Sequence, residues 1–193
     1  MLKEFIDFVE SVLPTVEKDK VVEVKNAVTQ FDFQNGRYVF ATTDLLPEIS
    51  QGDIISNIPF RYFGDDSTEQ TFVADAMVLS VSCDIDNKNN ILISPLMPID
   101  AISKDASVIN SIRNNKVYNY LYLPDVVMHD EVVWLDFINT ISRKILYKGL
   151  KKAKFHRKVS LTQLGFYLFV LKMTVFLFRK EDAGTQNKRL KAD

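Results

Sequence analysis

Apolar positions near the start of the chain recur at helical spacing. Leu2, Phe5, Ile6, Val9, Val12 and Leu13 fall three or four residues apart, and Pro14 closes the pattern. After Thr15, which reads as an N-cap, Val21, Val24, Val28 and Phe31 keep the same period up to the Asn35-Gly36 turn. Residues 1–36 therefore predict an N-terminal helical hairpin. From Arg37 the texture changes to β-branched and aromatic runs bounded by Gly, Pro, Asn and Asp. These are Arg37 to Thr43, Asp53 to Phe63, Thr71 to Ser82, Asn90 to Met97, Val117 to Leu123 and Val132 to Ile138. Short strands punctuated in this way predict a small barrel or sandwich over residues 37–142. A short helix over Ser103 to Asn114 fits between the fourth and fifth strands. A basic segment, Arg143 to Lys158, follows, and Ser160 then reads as the cap of a long apolar helix ending near Arg179. Residues 143–180 are expected to pack on the barrel. Residues 181–193 are polar, contain Gly184 and hold Leu190 as their one large apolar side chain, which predicts a disordered tail. The fold class is α+β.

The 193 residues are 47% hydrophobic and 25% charged, as in an ordinary globular protein with enough chain for a sizeable core. Cys83 is the sole cysteine, so an intrachain disulfide and a multi-cysteine metal site are both excluded. That usage suits a reducing cytoplasm. The opening Met1 to Asp7 is too acidic, and its apolar run too short, for a signal peptide, so a cytoplasmic location is expected. Leu164 to Phe178 is apolar except for Gly165, Lys172 and Thr174. It is shorter than the roughly 20 residues a membrane span needs. A buried helix, or a face shared between two copies of the chain, accounts for it, and an integral membrane protein is not expected.

Charge is distributed unevenly. Residues 1–142 hold 10 Lys/Arg against 22 Asp/Glu, while residues 143–193 hold 14 against 3, although the whole chain has a net charge of only −1. Such asymmetry points to nucleic acid, a membrane surface or an acidic partner. Its centre is Arg143, Lys144, Lys148, Lys151, Lys152, Lys154, Arg157 and Lys158, eight cations with no acid among them and with Tyr147, Phe155 and His156 interspersed. Cations bind phosphate and aromatic rings stack on unpaired bases. The competing reading docks this segment on the acidic part of its own chain or of a partner.

Candidate chemistry is sparse, and no cofactor is expected. Cys83 would be a nucleophile if its thiolate were favoured and a base stood near, but Asp84 beside it opposes ionisation and the bases on offer are His129 and His156. A buried structural cysteine at a strand end is the expectation. Asp84, Asp86, Asn87, Asn89 and Asn90 resemble the start of a calcium loop, yet Asn89 stands where Gly is required and Pro95 replaces the closing Glu. An Asp/Asn-rich turn explains the same letters. Asp65-Asp66 with Glu69, and His129-Asp130-Glu131, read as loop surface.

The order Gly52-Asp53-Ile54-Ile55, then Met77-Val78-Leu79-Ser80, then Ile91-Leu92-Ile93-Ser94-Pro95-Leu96 resembles the PemK/MazF toxin family. The resemblance implies an SH3-like barrel and, for the family, RNA cleavage. The family's arginine before its apolar strand falls on Ala74 here, and its threonine after Pro-Ile falls on Met97. Attack by a 2′-hydroxyl needs a proton acceptor and a cation for the developing charge, and neither residue supplies one. Leu79-Ser80-Val81-Ser82-Cys83-Asp84, with Trp134-Leu135-Asp136, Ser160-Leu161 and Arg179, also resembles a pattern of uncharacterised bacterial and phage-related proteins, which implies a setting in phage defence or mobile elements.

Two functions remain in view. The first is a non-catalytic binding protein that holds RNA or DNA, or docks a protein partner or second copy, through residues 143–158. The second is a toxin-like endoribonuclease with an altered site drawn from Arg61, Ser80, Ser82, Cys83 and Asp84.

Overall fold

The computed structural model describes residues 39–123 and 130–178, together with Thr185. The expected N-terminal hairpin, His129 and most of the expected tail lie outside the described residues. The described chain is α+β. Eight strands, β1 (Ala41–Thr42), β2 (Ile54–Phe63), β3 (Glu69–Val78), β4 (Asn90–Pro98), β5 (Tyr120–Tyr122), β6 (Glu131–Trp134), β7 (Asn139–Ser142) and β8 (His156–Leu161), form one antiparallel sheet. Five helices accompany them: α1 (Ser82–Ile85), α2 (Ile99–Ile102), α3 (Ala106–Arg113), α4 (Arg143–Lys151) and α5 (Gln163–Phe178). The strand order is β1-β8-β2-β3-β4-β6-β5, with β7 also on β4. The sheet is open, so the expected closed SH3-like barrel is not formed among the described residues.

Alternation along β2 and β3 divides their side chains between two cores, because successive residues of a strand point to opposite faces. Ile54 and Met77 join Phe40, Leu96, Leu161 and Phe169 under α5. Ile55, Ala76 and Val78 join Ile91, Leu146 and Phe155 under α4. Ile58 and Phe60 stay on the α4 face with Ile55 although the spacing is three and then two. Asn57 absorbs the extra residue: the register with β3 shifts between Ile55 and Ile58, and Asn57 has a φ of 62°. Asn tolerates that left-handed conformation better than a branched residue would. Pro59 sits beyond Ser56, where β2's pairing with β8 has ended, so its missing N–H breaks no ladder there.

Several expected elements take a different form. The expected strand Val132 to Ile138 covers most of β6 and a 3-10 turn over Leu135–Phe137, and β7 follows it, so one excursion of chain lines two successive parts of β4. The basic segment is not one unit, since it supplies α4 and then β8, a strand lying between β1 and β2. Ser160 is therefore a buried strand residue and not a helix cap. Thr162 does the capping, with its Oγ1 accepting a hydrogen bond from the Gly165 amide at 3.2 Å. α3 was expected, and its cap is Asp105, whose Oδ1 accepts from the Ser107 amide at 2.7 Å.

α5 lies close on the chain around Phe40: a Cβ built at Gly165 would stand 1.9 Å from the Phe40 carbonyl oxygen. Only glycine permits that approach. No helix among the described residues is long and apolar enough to cross a membrane. The one charged residue in α5, Lys172, is 5% exposed and donates to the Asn115 carbonyl at 3.0 Å and to the Val117 carbonyl at 2.5 Å. Burial pulls its ammonium from the ordinary 10.5 down to about 8. The unfolded chain then binds more protons than the folded one between about pH 8 and 10.5, so stability should rise with pH across that window. Urea midpoints measured across this range should show the rise, and Lys172→Met should remove it.

Candidate functional site

Three residues anchor α4 from beneath. Leu146 and Gly149 are buried, and Phe155, from the connection to β8, fills the space over Gly149, where a Cβ would come within 2.1 Å of its ring. Phe155 is 9% exposed and belongs to the core, so it is not available to stack on a base as the sequence suggested. The helix begins directly after β7, and the Arg143 amide donates to the Asn89 carbonyl at 2.9 Å. It ends with Ala153 at a φ of 53° and with the Lys154 amide bonded to the Gly149 carbonyl at 2.9 Å. That left-handed closure satisfies carbonyls the last turn would leave open.

The eight cations separate into two groups. Arg157 faces inward: its guanidinium meets the Asp53 carboxylate at 2.7 Å, with the two side chains 15% and 0% exposed. It also donates to the Leu46 and Glu48 carbonyls, at 2.9 Å each, and its Nε is buried without an acceptor. Asp53 is further held by the Ser160 hydroxyl at 2.7 Å and the Ser50 amide at 2.9 Å. Lys158 pairs with Asp75 at 2.6 Å. Both residues therefore pair with the chain's own acids, as the competing reading of the basic segment had it.

Lys144, Lys148, Lys151, Lys152 and Lys154 form the second group. All five are exposed, and among the described residues none has a side-chain hydrogen bond or ion pair. Arg143 is half-buried at the start of the helix. Lys144 and Lys148, and Lys148 and Lys152, stand four apart, where like charges repel. Position near the helix C-terminus offsets part of that cost for Lys148 and Lys151. The remainder has no carboxylate to relieve it.

Tyr147 is exposed on the same helix, and its hydroxyl donates to Asp86 at 2.7 Å. Burial, that bond and the nearby Asp86 and Glu48 charges push its hydroxyl up to about 12. Tyr147 and Leu150 form one wall of a cleft of about 630 Å³. Pro47, Glu48, Ile49, Phe155, His156 and Arg157 also line it. Periodicity gives no sign of this cleft, because the 45–49 loop is held across it by Arg157, a residue remote in sequence. An apolar groove of about 370 Å³ lies elsewhere, between α5 and Leu79, Leu92 and Ile138.

The toxin-like candidates are not brought together. Ser80, Ser82, Cys83 and Asp84 lie on the β3–β4 connection, while Arg61 pairs with Thr71 near the opposite end of the β2–β3 hairpin, roughly 20 Å along the strands. Arg61 is exposed and bound to Glu69 at 2.6 Å. The Ser80 and Ser82 hydroxyls accept from the Leu92 and Gln51 amides, which is a turn-forming role. Cys83 is exposed, not buried as expected, because Ser82–Ile85 forms a short helix at the surface and only Ile85 turns inward. Ala74 and Met97 lie in β3 and β4, opposite Ile58 and Val132.

Gly52-Asp53-Ile54, one of the motifs behind the family resemblance, has a full account in packing. Gly52 adopts a φ of 88° against Leu161, Asp53 receives Arg157, and Ile54 enters the core. Compared with known proteins, the chain matches no family and no curated protein.

Proposed function

We propose that this protein is a non-catalytic binder of single-stranded nucleic acid that holds the phosphate backbone on the exposed face of α4 and the turn after it. The observation carrying this reading is the group Lys144, Lys148 and Lys151 on α4 with Lys152 and Lys154 in the turn after it, five exposed cations with no carboxylate partner among the described residues. A fold that tolerates their mutual repulsion gains from an external polyanion. The order of sequence motifs that resembles PemK/MazF proteins, and the pattern that resembles phage-related proteins, are the grounds for a cytoplasmic setting among such elements. The ribonuclease alternative has less support, since Arg61 and the Ser80–Asp84 group lie at opposite ends of the hairpin and the family's Arg and Thr positions are Ala74 and Met97.

The test is a salt titration of the full chain against labelled single-stranded RNA, single-stranded DNA and duplex DNA, with products run on a denaturing gel. Five phosphate contacts predict a slope of log K against log salt of about −3.5 on single strands. Replacing Lys151, Lys152 and Lys154 together with Glu should weaken binding about a hundredfold at low salt without unfolding the protein. Equal affinity in the triple variant, or no binding by the native protein, would remove this reading. Cleavage would replace it with the enzyme.

A further inference from the structure

The cleft beside α4 differs in charge from the helix face that borders it. Tyr147 and Leu150 are three residues apart and line the cleft, while Lys144 precedes Tyr147 by three and Lys151 follows it by four, so cations border the same wall. The carboxylates lining it are Glu48 and Asp86, both exposed, and the Arg157 that also lines it is paired with Asp53. Asp86 accepts from the Tyr147 hydroxyl, and Glu48 has no side-chain partner among the described residues. Two carboxylates repel phosphate from the interior. They accept N–H donors, and the Leu45, Pro47 and Leu150 side chains that line the cleft offer apolar surface to a flat ring. The cleft, about 630 Å³ and open to solvent, is wide enough to admit a single base.

We propose that this cleft receives one unpaired guanine base of a strand whose phosphates lie on the α4 lysines, with the Glu48 carboxylate accepting from the base's adjacent ring and exocyclic N–H groups. The inference rests on the nucleic-acid reading above and adds a base preference to it. Guanine presents two neighbouring donors on its Watson–Crick edge, which match the two oxygens of one carboxylate. Uracil presents one donor flanked by acceptors, which a carboxylate repels. The Tyr147 hydroxyl holds Asp86 in place by its hydrogen bond.

Anisotropy titrations of the full chain with a short labelled oligouridylate, and with the same oligomer carrying one central guanosine, test the proposal. The guanosine oligomer should bind about tenfold more tightly. In Glu48→Gln with Asp86→Asn that ratio should fall close to one, while affinity for oligouridylate is retained or increased. A ratio near one in the native protein, with salt-sensitive binding of both oligomers, would overturn the base site and leave the lysine face standing. A ratio that persists in the double variant would equally overturn it. Failure of both oligomers to bind at low salt would remove the lysine face and the base site together. The native ratio decides the matter even where the double variant does not fold.

Discussion

Asp53→Ala should cost the fold about 3–5 kcal/mol, because it leaves a buried guanidinium without its counter-charge. The Asp53 side chain is fully buried and receives Arg157 at 2.7 Å, the Ser160 hydroxyl at 2.7 Å and the Ser50 amide at 2.9 Å. Removing the carboxylate strands all three donors, and stranded donors in a closed site cost more than the bond itself was worth. Against a total stability of about 5–15 kcal/mol for a domain, that loss unfolds a large fraction of the protein. Urea denaturation followed by Trp134 fluorescence measures it. A cost below about 1 kcal/mol would mean that the pair is solvated in solution.

The pair also connects stability to the cleft. Arg157 donates to the Leu46 and Glu48 carbonyls, so the loop that carries Glu48 depends on Asp53 for its position. Adding Arg157→Met to Asp53→Ala should recover much of the lost stability, since an apolar side chain needs no counter-charge. It should not restore the loop.

Phe169→Ala is expected to cost about 3–5 kcal/mol, and Leu177→Ala within about 0.5 kcal/mol. Both residues lie in the same apolar helix, α5. Phe169 is 1% exposed and packs among Phe40, Ile54, Met77 and Leu161, whereas Leu177 is 58% exposed. Truncating the first opens a cavity that well-packed neighbours fill only in part. Truncating the second removes atoms already in water. Denaturation midpoints of the two variants separate the faces of the helix, and a large, concentration-dependent cost at Leu177 would show that a second copy covers it.

The elements most legible in the sequence were those governed by neighbours a few residues away. Runs of β-branched and aromatic residues between turn residues identified β2, β3 and β4, and a short helix was expected over Ser103 to Asn114, where α3 lies. β8 was not expected because Arg157 and Lys158 were read as part of one basic segment, although Arg157, Val159 and Leu161 alternate with the period of a strand. The apolar run at residues 164–178 identified α5 as a helix and left its inward face open. Nothing local distinguishes Phe169 from Leu177 when every side of the helix is apolar.

The candidate site divides in the same way. The basic character of residues 143–158 was plain from composition, and so was the absence of acids within it. Which cations are free was not, because Arg157 and Lys158 find their carboxylates on β2 and β3, and Phe155 finds its cavity over Gly149. Charge, strand period and helix period are properties of short stretches, so the sequence alone determined the segregation of charge and most of the element types. Burial and ion pairing require two distant stretches to meet, so only the tertiary structure decided that five lysines are left without a carboxylate partner among the described residues and that a cleft opens beside them.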